Sequence, residues 1–123
     1  MTLADRILQF MEFNSTLYAG MNRTYLRKAI EDCVRVNQFV YKPEKYVFLY
    51  WLVTDNDIDG ILEKVMPENI TGGNILYVAE CCCIDTESMK EGINILRRLP
   101  FEGAFWHRNN QPVLFPRQKG VMI

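Results

Sequence analysis

The stretch Ile75-Leu76-Tyr77-Val78-Ala79-Glu80-Cys81-Cys82-Cys83-Ile84, with Asp85-Thr86-Glu87-Ser88-Met89-Lys90-Glu91-Gly92 directly after it, decides the fold. Ten residues with a single charge read as a strand over 75–84, buried on both faces. Asp85 has the short acceptor side chain of a helix N-cap. Behind it Met89, Gly92, Ile93 and Leu96 recur at helical spacing, which predicts a helix over 86–99 with those four turned inward. Arg97 and Arg98 suit the negative end of that helix. A strand over 103–108 then completes a strand, helix, strand unit.

Working outward, 38–42 and 46–53 are rich in aromatic and branched residues and flank Pro43-Glu44, so they read as a hairpin. The second arm is apolar at every position, as a central strand must be. At the other end 113–117 pairs with 103–108 across Asn109-Asn110-Gln111-Pro112, and Pro116 suits an edge position. Thr2 caps a first helix with Leu3, Ile7, Phe10 and Met11 on one stripe, ending near Asn14. Leu26, Ala29, Ile30, Cys33 and Val34 mark a second, supported by the spacing of Arg27 with Glu31 and Lys28 with Asp32. Asp57 caps a short third helix carrying Ile58, Ile61, Leu62 and Val65, stopped by Pro67. The expected architecture is α/β in the α+β sense: one domain over 1–123, with a mixed, mainly antiparallel five-stranded sheet and helices packed on it.

Composition narrows the function classes. The 123 residues are 49% hydrophobic and 24% charged, as globular domains are, and the 15 aromatics supply a core without disulfide staples. The formal charge of −1 speaks against a general nucleic-acid binder, whose affinity rests on excess cationic charge. That charge is segregated: 1–53 carries 7 bases and 5 acids, 54–96 carries 2 and 9, and 97–123 carries 5 and 1. Such polarity suits an oriented contact with a protein partner or with a second copy. No apolar run is long enough to span a membrane, and the N-terminus has no basic and apolar regions of a signal peptide. Cys33 with the run Cys81-Cys82-Cys83 is not the dispersed pattern of a secreted, disulfide-stapled domain. The expected location is cytoplasmic, and the sequons at Asn14, Asn22 and Asn69 are then chance matches.

In element order, over roughly residues 22–119, the chain resembles the GNAT-like N-acyltransferase fold, including the toxin-activating lysine acyltransferases that share it. It is also similar to the small GNAT-like internal virion proteins of short-tailed phages. The resemblance implies a pyrophosphate-binding turn of the form Arg/Gln-x-x-Gly-x-Gly/Ala, which stabilises phosphate by backbone N–H groups at a helix N-terminus. The corresponding stretch, Asp85 to Gly92, has no glycine pair and sets Asp85, Glu87 and Glu91 against Lys90. Acyl-CoA is therefore not expected as a cofactor. Glu80 resembles in position the acid of the toxin-activating enzymes, which implies a candidate general base. Those enzymes also use an upstream histidine, and the only histidine here is His107. The competing reading of Glu80 is a sheet-edge acid, or one paired with a base such as Arg108.

Three other constellations stand in the sequence. Asp55-Asn56-Asp57-Ile58-Asp59-Gly60 matches the first half of a calcium loop, but position twelve is Met66 where a bidentate Glu is required. An acidic helix-capping turn is expected instead of calcium. Cys81 and Cys83 share one strand face and Cys82 takes the other, so buried thiols are expected rather than a zinc set completed by Cys33 and His107. Phe105-Trp106-His107-Arg108 with Arg117 and Lys119 mixes aromatic and basic side chains, a mixture also used to stack single-stranded nucleic acid. Here it reads as a partner-binding surface of Trp106, Arg108, Arg117 and Lys119. The expected function is a GNAT-like, protein-binding accessory or virion-associated protein. The alternatives are an N-acyltransferase with an unconventional donor site and a single-strand-binding module.

Overall fold

The structure is a computed structural model that describes residues 1–63, 66–108 and 111–114, with the backbone alone described for Leu62, 104–108 and 111–114. Helix α1 (Leu3–Asn14) starts on a reciprocal cap in which the Asp5 amide donates to Thr2 Oγ1 and the Thr2 amide donates to Asp5 Oδ2, each at 3.1 Å. Ser15 ends it and caps α2 (Thr16–Ala19), one turn that the sequence pattern did not reveal. Helix α3 (Arg23–Arg35) follows, capped by Asn22. It buries Leu26, Ile30 and Cys33, and Arg27 reaches back to Asp5 of α1. That guanidinium and the Thr2 cap together hold the Asp5 carboxyl down at about 2.

Strands β1 (Phe39–Lys42) and β2 (Tyr46–Val53) form the expected hairpin, with Glu44 at φ 67 in its turn. Helix α4 (Asp55–Leu62) is capped by Thr54, not by Asp57. Asp57 is instead the third helical residue, and its carboxylate accepts from the Thr54 amide at 2.9 Å and the Thr54 hydroxyl at 3.0 Å. The half-match to a calcium loop is thus a helical turn whose central acid is committed to capping. Strand β3 (Ile75–Cys83) runs antiparallel to β2. Helix α5 (Thr86–Leu96) ends three residues before the expected Leu99, and Met89 is exposed while Ser88, Gly92 and Leu96 are buried. Gly92 sets this phase, because a Cβ there would collide with the Phe48 ring of β2.

The expectation of a mixed, mainly antiparallel five-stranded sheet is corrected. The body of the fold is a three-stranded antiparallel sheet, β1-β2-β3, with five helices, an α+β arrangement. Beyond it, the segments β4 (Gly103–Arg108) and β5 (Gln111–Leu114) make a ribbon that touches β3 in parallel at only three register pairs, Ile75 with Gly103 to Tyr77 with Phe105. Contact stops two residues before the β3 ladder is interrupted at Ala79, and periodicity cannot show how far strands stay paired. The expected last strand over 113–117 is replaced by Gln111–Leu114, and 115–117 lie outside the described residues.

Strand β2 separates two cores. Val47, Leu49, Trp51 and Val53 face α1, α3 and α4 with Ile7, Leu8, Met11, Leu26 and Ile30. Tyr46, Phe48 and Tyr50 face α5 with Leu76, Val78 and Leu96. Each fully buried aliphatic or aromatic side chain is worth roughly 1.5–3 kcal/mol of transfer free energy. This explains why β2 carries no polar alternation.

Candidate functional site

Glu80 lies where β2 and β3 fall out of step. Leu49 pairs with Glu80 and Tyr50 with Val78, so Ala79 is an extra residue on β3. A strict two-residue alternation from Leu76 and Val78 would carry Glu80 to the α5 face. The bulge turns it to the other face, toward the α1–α3 layer. There the Tyr18 hydroxyl donates to Glu80 Oε2 at 2.7 Å and accepts from the Cys81 amide at 3.1 Å. Tyr18 is held in place because Ser15 caps α2, the Tyr18 amide donating to Ser15 Oγ.

Burial raises the Glu80 carboxyl above its ordinary value, and the Tyr18 hydrogen bond partly opposes the rise. Tyr18 is itself pushed up strongly, by burial first and then by the Glu80 charge. The same charge adds to burial in raising Tyr77 to about 12 and Cys81 to about 11. Cys33 reaches about 12, chiefly by burial, and Cys83 about 12 for the same first reason. These thiols are poor nucleophiles, since the thiolate is the reactive form. What the site can do is hold one proton between a half-buried carboxyl and a phenol, with an amide N–H fixing the phenol oxygen.

Among the described side chains Tyr18 holds Glu80, and the Arg108 side chain, the competing partner, lies outside the described ones. Trp106 and Arg108 lie on β4, where only the backbone is described, and Arg117 and Lys119 lie outside the described residues. Tyr18 was missed in the sequence, where the only signal was the capping serine three residues before it. At the α5 N-terminus the Asp85 side chain accepts from the Ser88 amide at 2.8 Å, which holds the Asp85 carboxyl below its usual range. Glu91 pairs with Lys42 at 3.1 Å, and Glu87 with Lys90 at 3.9 Å. A phosphate arriving here would meet carboxylates where the N-acyltransferase turn offers amides.

A second feature is apolar. Phe13 at the end of α1 and Leu17 in α2 are 88% and 66% exposed. Phe13 lines a groove of about 870 Å³ that opens between α1 and the β1–β2 turn, walled also by Phe10 and Tyr41 with Arg6 and Glu44 among its charges. Phe10 and Tyr41 brace one another edge to face, centroids 6.2 Å apart. Arg6 and Glu44 enter no ion pair among the described residues.

Among the described residues no cluster of three His, Cys, Asp or Glu is placed to hold a metal, and no helix is long and apolar enough to cross a membrane. No protein-family model matches the sequence, and neither a curated protein nor a solved structure matches it significantly.

Proposed function

We propose that this is a GNAT-like accessory domain without an acyl-CoA site, an accessory or virion-associated phage protein that works by protein assembly, with a second copy of itself as the occupant of the α1–α2 face. The observation that carries the reading is the protruding Phe13 on the wall of the groove, with Leu17 exposed four residues further along the chain. Large apolar side chains at such exposure, gathered in one patch, mark interaction surfaces. Projection, groove, and a base and an acid that enter no ion pair among the described residues lie on the same patch, so the surface is complementary to itself. A two-fold axis then satisfies all four at once, each copy's Phe13 entering the other's groove and Arg6 meeting Glu44. The basic C-terminal hairpin, with Trp106, Arg108, Arg117 and Lys119, supplies a second contact in this reading. Sedimentation equilibrium tests it: a concentration-dependent dimer is expected, weakened at least tenfold in Phe13→Glu and Leu17→Glu. A monomer at all concentrations, or an association indifferent to both changes, overturns it.

One observation favours a second reading, an N-acyltransferase with Glu80 as base: the raised carboxyl and its phenol partner are the parts of a proton relay. Acyl transfer to a peptide amine, abolished in Glu80→Gln with the fold intact, would support it.

A further inference from the structure

A narrower cleft lies on the opposite side of α3, and it is independent of the assembly surface. Tyr25, Lys28, Ala29, Asp32 and Arg35 form one stripe along the helix, and with Trp51 and the 66–70 segment they enclose about 420 Å³. That volume is in the range of small-molecule sites, about 300–1,000 Å³. Ala29, the smallest side chain of the stripe, lines the cleft between Tyr25 and Asp32. Trp51 lines it from the sheet, only 9% exposed and held at its side by its cross-strand neighbour Tyr77, ring centroids 5.5 Å apart.

The facing wall is fixed as well. Ile70 accepts from the Leu52 amide at 2.8 Å and from Gln38 Nε2 at 2.8 Å, and Asn69 Oδ1 accepts from the Thr71 and Gly72 amides. These bonds order the Ile70 end of the cleft, which spares a ligand part of the cost of ordering it. Its walls are flat and apolar in Tyr25, Trp51 and Pro67. Its charges are divided: on the helix side Lys28 and Arg35 share the single carboxylate of Asp32, at 3.3 and 3.2 Å, leaving donors unused. On the loop side Glu68 enters no ion pair among the described residues.

We propose that this cleft binds a small aromatic zwitterion of the class of a free aromatic amino acid. The ring lies over Trp51 beside Ala29, the carboxylate is gripped by Lys28 and Arg35, and the ammonium faces Glu68. Planar guanidinium and ammonium donors suit a carboxylate, and an aromatic floor suits a ring.

The test is titration of the protein with phenylalanine, phenylacetate and phenethylamine, followed by the Trp51 indole resonance, which is assigned by its loss in Trp51→Phe. Phenylalanine is expected to bind at least tenfold more tightly than either truncated probe. Ala29→Leu should abolish that binding, and Glu68→Gln, on an exposed loop position that leaves the fold intact, should weaken phenylalanine and spare phenylacetate. The proposal is overturned if millimolar phenylalanine leaves the Trp51 resonance unmoved, if the three probes bind equally, or if Glu68→Gln leaves the preference for phenylalanine unchanged. Should Ala29→Leu unfold the protein, the Glu68→Gln comparison decides alone.

Discussion

The Tyr18 hydroxyl donates to Glu80 Oε2 at 2.7 Å, tying a one-turn helix to a strand residue 62 positions away. The contact requires both the capping serine that positions α2 and the extra residue that turns β3. Since the same phenol oxygen also takes the Cys81 amide proton, Tyr18→Phe strands two polar groups. Leaving a half-buried donor and acceptor unpaired costs about 1–3 kcal/mol. Urea unfolding of Tyr18→Phe should show a loss in that range, and an unchanged midpoint would remove Tyr18 from its structural role.

The pH dependence of Glu80 has a definite sign. Its folded-state carboxyl is raised above the ordinary value of 4.5, so between that value and the folded pKa the native state holds more protons than the unfolded chain. The contribution of Glu80 to stability therefore falls as pH rises through this window. Glu80→Gln keeps an acceptor for Tyr18 and removes the charge. The variant should match the parent near about pH 4 and melt at a higher temperature near about pH 8. An equal difference at both pH values would contradict the assignment, and the comparison cancels Asp5, Asp85 and Glu91, whose shifts run the other way.

Close packing of α5 on β2 gives a sharper test. Gly92→Ala sets a methyl group against the Phe48 ring, and overpacking of this kind costs about 1–3 kcal/mol. Thermal melting should show the loss. The same substitution combined with Phe48→Leu should recover part of it, because the ring is the obstacle.

These contacts show what could be read from the residues. Strand β2 was legible because Tyr46 to Val53 offers no polar face, and α1 because Thr2 stands before the stripe of Leu3, Ile7, Phe10 and Met11. Glu80 was conspicuous as the one charge in an apolar strand, but its direction was not, since a bulge at Ala79 leaves no mark on composition. Tyr18 sits in a helix of four residues, too short for periodicity to register. Ser88 rather than Met89 faces inward because a glycine has to meet Phe48, a requirement visible only once the strand is placed. The extent of the sheet depends on how long strands stay in register, and side-chain pattern does not encode that. Gln38, read as the first residue of a strand, is instead a buried amide that donates to the carbonyls of Tyr50 at 3.1 Å and Ile70 at 2.8 Å where β1 leaves β2.

The reading of the α5 N-terminus predicts that acetyl-CoA gives no micromolar binding by calorimetry. Asp85 already occupies the Ser88 amide, and Glu87 and Glu91 add like charge to any pyrophosphate. Micromolar binding that disappears when this turn is altered would reverse the proposal that the domain lacks an acyl-CoA site.

The central claim is that the α1–α2 face meets its own copy, and photo-cross-linking from position 13 tests it most directly. With a photoreactive phenylalanine analogue in place of Phe13, the account predicts a covalent dimer whose linked peptide contains Tyr41 to Glu44 of the second copy. Exclusively monomeric product, or dimers linked elsewhere on the surface, would contradict it.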